Sequence, residues 1–422
     1  MIYKKTTLKN GLRVITAPMR DTATATVLVM VGVGSRYEED AEAGISHFIE
    51  HMLFKGTKKR PNTKIISEEM DSIGGEFNAF TGKNKTAYYA KSDARHIDKT
   101  LDVISDIFLN SKLESKEINR ERGTILQEIS MYEDMPMQSI EDEFEGLLYG
   151  RQKLGRPIAG YPKTVSGVKR KNFVDYMSKH YLPESTVVCV AGKIDEKKVM
   201  DNIRKHFSKM KKKDKPVFEK VRENQKVPKI KIKYKKTDQT HLVLGARTYH
   251  NKHKDKYVLA LLATILGGNM SSRLFLSVRE RQGLAYYVRT GNEFYQDAGY
   301  LATQCGVKHG NLSKTIGTIL KEYKKISRQK VDEKELRKAK DYIKGKTVMS
   351  LESSDAVAGF LADQEVIKDE ILMPEEIFKR IDKVTADDIK RVAKDIFVPE
   401  KLNLAIIGPH NNKEKLEKLL IL

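Results

Sequence analysis

The chain has 422 residues, of which 40% are hydrophobic and 32% charged, and its 78 Lys plus Arg against 57 Asp plus Glu give a formal net charge of +21. That length suits two to four domains, and the proportions exclude collagen-like, low-complexity and wholly disordered chains. Apolar runs such as Val258–Leu266 reach about half of the roughly 20 residues needed to span a bilayer, so no membrane insertion is expected.

In chain order, the opening MIYKKTTLKNGLRV lacks the apolar stretch of a leader and reads as an ordinary first strand, so a soluble, cytoplasmic protein is expected. Gly11–Ala17 reads as a strand, and Ala25–Val33 is a nearly continuous apolar run suited to a buried one. A helix is expected over about Ala43–Phe54, and a second over Asn62–Ile73 after Pro61. Phe77–Ala90 has the pattern of a hairpin around Gly82-Lys83-Asn84. Long amphipathic helices fill Asp98–Asn110 and Lys116–Tyr132. Further on, Lys229–Lys235 alternates, with Ile230, Ile232 and Tyr234 expected inward and the lysines outward. Two cysteines, Cys189 and Cys305, are too few for a disulfide framework.

The chain repeats itself. Tyr181-Leu-Pro-Glu-Ser-Thr-Val-Val-Cys-Val-Ala-Gly192 matches Phe397-Val-Pro-Glu-Lys-Leu-Asn-Leu-Ala-Ile-Ile-Gly408. Lys116-Glu117 matches Lys334-Glu335, and Leu53–Gly56 matches Ile265–Gly268. These near-constant offsets divide the chain into an N-terminal repeat, 1–212, a basic linker, 213–229, and a C-terminal repeat, 230–422. Strands followed by runs of helices predict an α+β protein, two homologous sandwiches of a sheet covered by helices. Between Lys205 and Lys236 stand 14 Lys/Arg and 3 Asp/Glu. A solvated linker accounts for that excess, and there is no aromatic platform for stacking bases, so no specific nucleic acid is expected.

Gly44-Ile-Ser-His47-Phe-Ile-Glu50-His51 contains H-x-x-E-H on a predicted helix. His47 and His51 at i and i+4, with Glu50 between, project from one face, where two imidazoles can share one zinc with a carboxylate alongside. Two surface histidines on an amphipathic helix are the plainer alternative. A catalytic zinc takes three protein ligands. Glu121 and Glu128 lie two helical turns apart on one face of a later helix, but spacing alone does not separate a ligand from ordinary solvated charge.

H-x-x-E-H followed after 76 residues by Glu128 in E-R-G-T-I-L-Q-E-I resembles the inverzincin peptidases, a family that includes pitrilysin, insulin-degrading enzyme and the mitochondrial processing peptidase. Within it, the chain is most similar to the short, bacterial-type, two-repeat branch. The likeness extends to Gly74-Gly75-Glu-Phe-Asn78-Ala79-Phe-Thr81, Met131-Tyr-Glu-Asp134, Gly155-Arg-Pro157 and the G-G-N-M-S-S-R-L-F segment at Gly267. It implies a zinc metalloendopeptidase that binds one zinc per chain through His47, His51 and Glu128. Glu50 would be the general base, and Glu121 would orient a ligand or the metal-bound water. It also implies that peptide substrates or unfolded segments add along Asn78, Ala79, Phe80 and Thr81 as an extra strand.

The second copy lacks the metal set: His47, Glu50 and His51 correspond to Leu259, Leu262 and Ala263, and Glu121 and Glu128 to Ala339 and Lys346. It carries instead an R-x-x-x-x-x-x-Y element. By resemblance Arg279 and Tyr286 donate to the developing oxyanion, with Tyr287 one register away. Completing the site would then need pairing, most simply a homodimer enclosing a chamber. Two rivals are a non-catalytic chamber subunit and a basic-patch binder of RNA or membrane.

Overall fold

The structure, a computed structural model, describes residues 2–368 and 370–422. The first half carries β1 (Lys4–Thr7), β2 (Arg13–Pro18), β3 (Thr24–Val31), α1 (Ile45–Leu53), α2 (Thr63–Asp71), β4 (Glu76–Thr81), β5 (Thr86–Asp93), α3 (Ile97–Asn110), α4 (Ser115–Asp134), α5 (Pro136–Tyr149), α6 (Pro162–Gly167), α7 (Arg170–His180), β6 (Thr186–Gly192) and α8 (Glu196–Phe207). The second carries β7 (Lys229–Tyr234), β8 (Thr240–Thr248), α9 (Lys256–Gly267), β9 (Ala285–Phe294), β10 (Gly299–Val307), α10 (Leu312–Arg328), α11 (Glu333–Ser350), α12 (Ser354–Lys368), α13 (Pro374–Asp382), α14 (Ala386–Ile396), β11 (Leu402–Gly408) and α15 (Lys413–Glu417). Among the described residues, no helix is long and apolar enough to cross a membrane.

The sequence repeat is a repeat of topology. One sheet runs β1-β2-β6-β3-β5-β4 and the other β7-β11-β8-β10-β9. Each has one parallel pair, β2 with β6 and β7 with β11, and is otherwise antiparallel. The matched strands β6 and β11 are buried along their whole length, which fits their nearly unbroken apolar sequences. The two elements of present interest, β4 and β9, are edge strands. Asn62 caps α2 by accepting from the Ile65 N–H at 3.1 Å, directly after Pro61.

Both faces of each sheet are covered, and this is where the compact units depart from the consecutive halves. On the first sheet, Val27 and Val29 pack with Phe48 of α1 and Ile104 of α3. On its other face, Ile15, Leu28 and Met30 pack with Val357, Leu361 and Val366 of α12, a helix from the far half of the chain. Ser354 at the start of α12 hydrogen-bonds Thr26 at 2.8 Å, and Asp355 pairs with Lys91 at 2.9 Å. On the second sheet, Leu244 and Ile406 pack with Leu259 of α9, Ile316 of α10 and Ile389 of α14. Its opposite face takes Ile140, Phe144 and Leu148 of α5, from the first half, against Val243, Ala405 and Ile407.

One compact unit therefore comprises the chain up to Ser130, Arg156–Glu219 and Val348–Met373, and the other Met131–Gly155, Lys220–Thr347 and Pro374–Leu422. The exchange corrects one sequence expectation. The lysines of β7 do not simply face water: Lys231 and Lys233 both pair with Glu143 of α5, at 2.6 and 2.9 Å. The face reserved for solvent by alternation is the one the exchanged helix covers.

Candidate metal centre

Helix α1 divides cleanly. Ile45, Phe48, Ile49, Met52 and Leu53 are buried at helical spacing in the core of the first unit. His47, Glu50 and His51 project from the remaining face. The start of α1 is fixed from outside the helix: the fully buried Glu38 accepts from the Gly44 and Ser46 N–H groups at 2.7 and 2.8 Å. Burial pushes the Glu38 carboxyl up to about 7 against the pull of those bonds. Gly44 has φ +98°, and a Cβ there would stand 2.5 Å from the Ala159 carbonyl oxygen. Only glycine fits, and the segment after Gly155-Arg-Pro157 locks the helix in place. Arg156 also donates to the Glu38 carbonyl at 3.2 Å.

Helix α4 buries Ile118, Glu121, Ile125 and Ile129 and brings Glu128 to the two imidazoles. His47 Nε2 lies 3.3 Å from His51 Nε2 and 3.6 Å from Glu128 Oε1, and His51 Nε2 lies 3.6 Å from Glu128 Oε2. Two donors each about 2.1 Å from one tetrahedral zinc stand about 3.4 Å apart, so this set fits a zinc ion with small adjustments. Among the described residues, it is the only group of three or more His, Cys, Asp or Glu with that proximity.

The surrounding charges suit a dication. Burial pulls the His47 imidazole down to about 4, with His51 adding to the effect, so His47 is neutral and its lone pair is available. At His51, burial is the largest influence and lowers the value. The Glu121 hydrogen bond and the charges of Glu121, Glu128 and Glu50 outweigh it and raise the value. A field that attracts a proton to His51 is also the field a metal ion would occupy. Glu121 accepts from His51 Nδ1 at 2.8 Å, which leaves Nε2 facing the site. Its other oxygen lies 2.6 Å from Lys55 Nζ. Burial would raise the Glu121 carboxyl, but the bonds to His51 and Lys55 hold it below its ordinary value.

Glu50 is not part of the ligand triangle. Its Oε2 accepts from the Thr81 hydroxyl at 2.6 Å, and burial raises its carboxyl despite that bond. Thr81 ends β4, so the edge strand reaches the centre. Along β4 exposure alternates, with Asn78 and Phe80 outward and Ala79 and Thr81 partly buried. The Ala79 N–H donates to the side-chain oxygen of Asn78 at 2.8 Å rather than to β5, so it lies on the unpaired side of the strand.

Arg279 and Tyr286 belong to the second unit. Arg279 lies in a π-helical turn, Phe275–Glu280, with its guanidinium carbon 4.9 Å from the Phe275 ring centre and 6.0 Å from that of Tyr286. Tyr286 is 78% exposed at the start of the edge strand β9, whereas the Tyr287 hydroxyl bonds His241 at 3.0 Å. Of the adjacent pair, Tyr286 is the exposed phenol. Two contacts were not anticipated from sequence: Lys55 on Glu121, and Thr81 on Glu50. Lys55 stands four residues after His51, which was the available signal.

His47, His51 and Glu128, with the helix-borne H-x-x-E-H, form a group that could hold a zinc ion on a duplicated α+β scaffold. Residues 13–161 match the family model described as insulinase, peptidase family M16, and residues 167–343 match the M16 inactive domain. An uncharacterized zinc protease of Rickettsia felis is 37% identical over 96% of this chain and 97% of its own. The uncharacterized zinc protease YmxG of Bacillus subtilis is 34% identical over 97% and 99%. A crystal structure of a protease from Helicobacter pylori superposes with a TM-score of 0.90 at 25% identity, covering 97% of this chain and 99% of that one. The chain belongs to the M16 family of zinc peptidases.

Proposed function

We propose that the protein is an endopeptidase for extended or unfolded polypeptide segments, with Glu50 as general base, zinc held by His47, His51 and Glu128, and Arg279 with Tyr286 as donors to the oxyanion. The observation that carries the base assignment is the separation of roles on one helix face. Two imidazoles and Glu128 point at a common centre, while Glu50 turns aside to Thr81.

When bound, zinc supplies a Lewis acid that polarises the scissile carbonyl and makes water a stronger acid. Glu50 takes the proton of the attacking water and delivers it to the leaving amine, a task suited to a carboxyl whose affinity for protons burial has increased. Glu121 fixes the tautomer of His51. The substrate main chain pairs with the open side of β4, where the Ala79 N–H is directed, so recognition depends little on side chains. In the same reading a second copy of the chain supplies the Arg279–Tyr286 pair, as the resemblance implies.

Glu50→Gln tests the assignment. It should reduce hydrolysis of a peptide mixture, read by mass spectrometry, to background while zinc stays near one equivalent per chain. Loss of the metal would make Glu50 a ligand, and substantial remaining turnover would remove it from the chemistry.

A further inference from the structure

We propose that Lys55 is a positioning residue for the metal centre, acting on the ligand His51 through Glu121. It rests on the assignment of His47, His51 and Glu128 as zinc ligands and goes beyond it by naming what sets the ring of His51. Glu121 is 6% exposed, and its two oxygens are divided between two partners, His51 Nδ1 at 2.8 Å and Lys55 Nζ at 2.6 Å. A carboxylate held at one oxygen can swing about that bond. One held at both keeps a single plane, and His51 then keeps a single ring orientation.

The two histidines are unequal in this respect. His47 Nδ1 is buried and has no hydrogen-bond partner among the described residues. At its Nδ1 side His47 is held by packing, while His51 is held at Nδ1 by a hydrogen-bonded chain that starts at Lys55. Removing the ammonium would leave Glu121 Oε2 buried without its partner, and a buried, unpaired carboxylate oxygen reorganises toward whatever donor it can reach. Lys55 is itself three-quarters buried, so it is not a casual surface ion pair.

The test is zinc affinity measured by competition with a chromophoric chelator, on full-length protein, alongside the thermal midpoint of the chelated form. Lys55→Met and Lys55→Gln should weaken zinc binding by about 10-fold, the low end of the roughly 10- to 100-fold range for losing the direct partner of a metal-ligating histidine, because Lys55 acts one bond further out through Glu121. Lys55→Arg, which keeps a cation in reach, should stay within a few-fold of the parent. A folded Lys55→Met or Lys55→Gln protein with parental affinity would overturn the proposal. So would Lys55→Arg failing as badly as Lys55→Met at an unchanged midpoint, because charge would then not be what matters. Glu128→Ala serves as the reference: if it too binds zinc normally, the ligand assignment has failed rather than the role of Lys55.

Discussion

The Thr81 hydroxyl ties the end of the edge strand β4 to Glu50 through a 2.6 Å bond to a partly buried carboxylate. Hydrogen bonds to charged groups are worth about 1.5–3 kcal/mol, and each 1.4 kcal/mol is a factor of ten in rate if it is lost at the transition state. Thr81→Val keeps the shape and removes the donor. It should lower kcat by roughly 10- to 100-fold with KM little changed and zinc retained, and Thr81→Ser should recover most of the loss. If the valine variant turns over as the parent does, Glu50 is held by something else. The H-x-x-E-H face was legible in the sequence because one helix fixes the relative directions of its own residues. The contacts of Thr81 with Glu50 and of Lys55 with Glu121 were not, because each pair meets across different elements, and spacing along the chain carries no information about that.

Helices and strands were read closely where one periodicity ruled. The spacing places the H-x-x-E-H helix at 43–54 and the structure has it at Ile45–Leu53, with the hairpin around 82–84 and the edge position of β4 likewise present. Periodicity says which face is buried but not by what. Strand β7 shows this: the alternation holds for Ile230 and Ile232 but fails at Tyr234, which ends the strand 60% exposed, and the lysine face nonetheless lies under α5 with Glu143 between two lysines. The open side of β4 gives the substrate proposal a specific handle. The Ala79 N–H points away from β5, so Ala79→Pro removes a donor from the unpaired side without breaking the ladder, as proline is tolerated on edge strands. The variant should keep its zinc and its thermal midpoint to within a few degrees while kcat/KM for peptides falls at least tenfold. Unchanged kcat/KM would mean that peptides do not add to β4.

Across the whole chain, two similar helices have exchanged sheets. Helix α5 is amphipathic and α12 is at least partly buried all round, and nothing in their sequences says that α5 covers the second sheet and α12 the first. Each unit therefore depends on the other half of the sequence. Without α12, the first sheet would expose Ile15, Leu28, Met30, Val187 and Cys189, all buried against Val357, Leu361 and Val366. Fully burying one large aliphatic side chain is worth about 1.5–3 kcal/mol, so leaving several uncovered costs about as much as a domain's entire stability of roughly 5–15 kcal/mol. Cutting the chain at the basic linker should accordingly give two fragments, 1–212 and 213–422, that each aggregate or unfold without cooperativity when produced alone. Produced together, they should assemble, unfold in a sharp transition and bind zinc, because the exchanged helices supply the missing cover in trans. The fragment 1–212 holds every proposed zinc ligand, which makes the outcome decisive. If it folds alone, with a cooperative transition and the zinc affinity of the intact chain, α12 is dispensable and the exchange is not what holds the first sheet together.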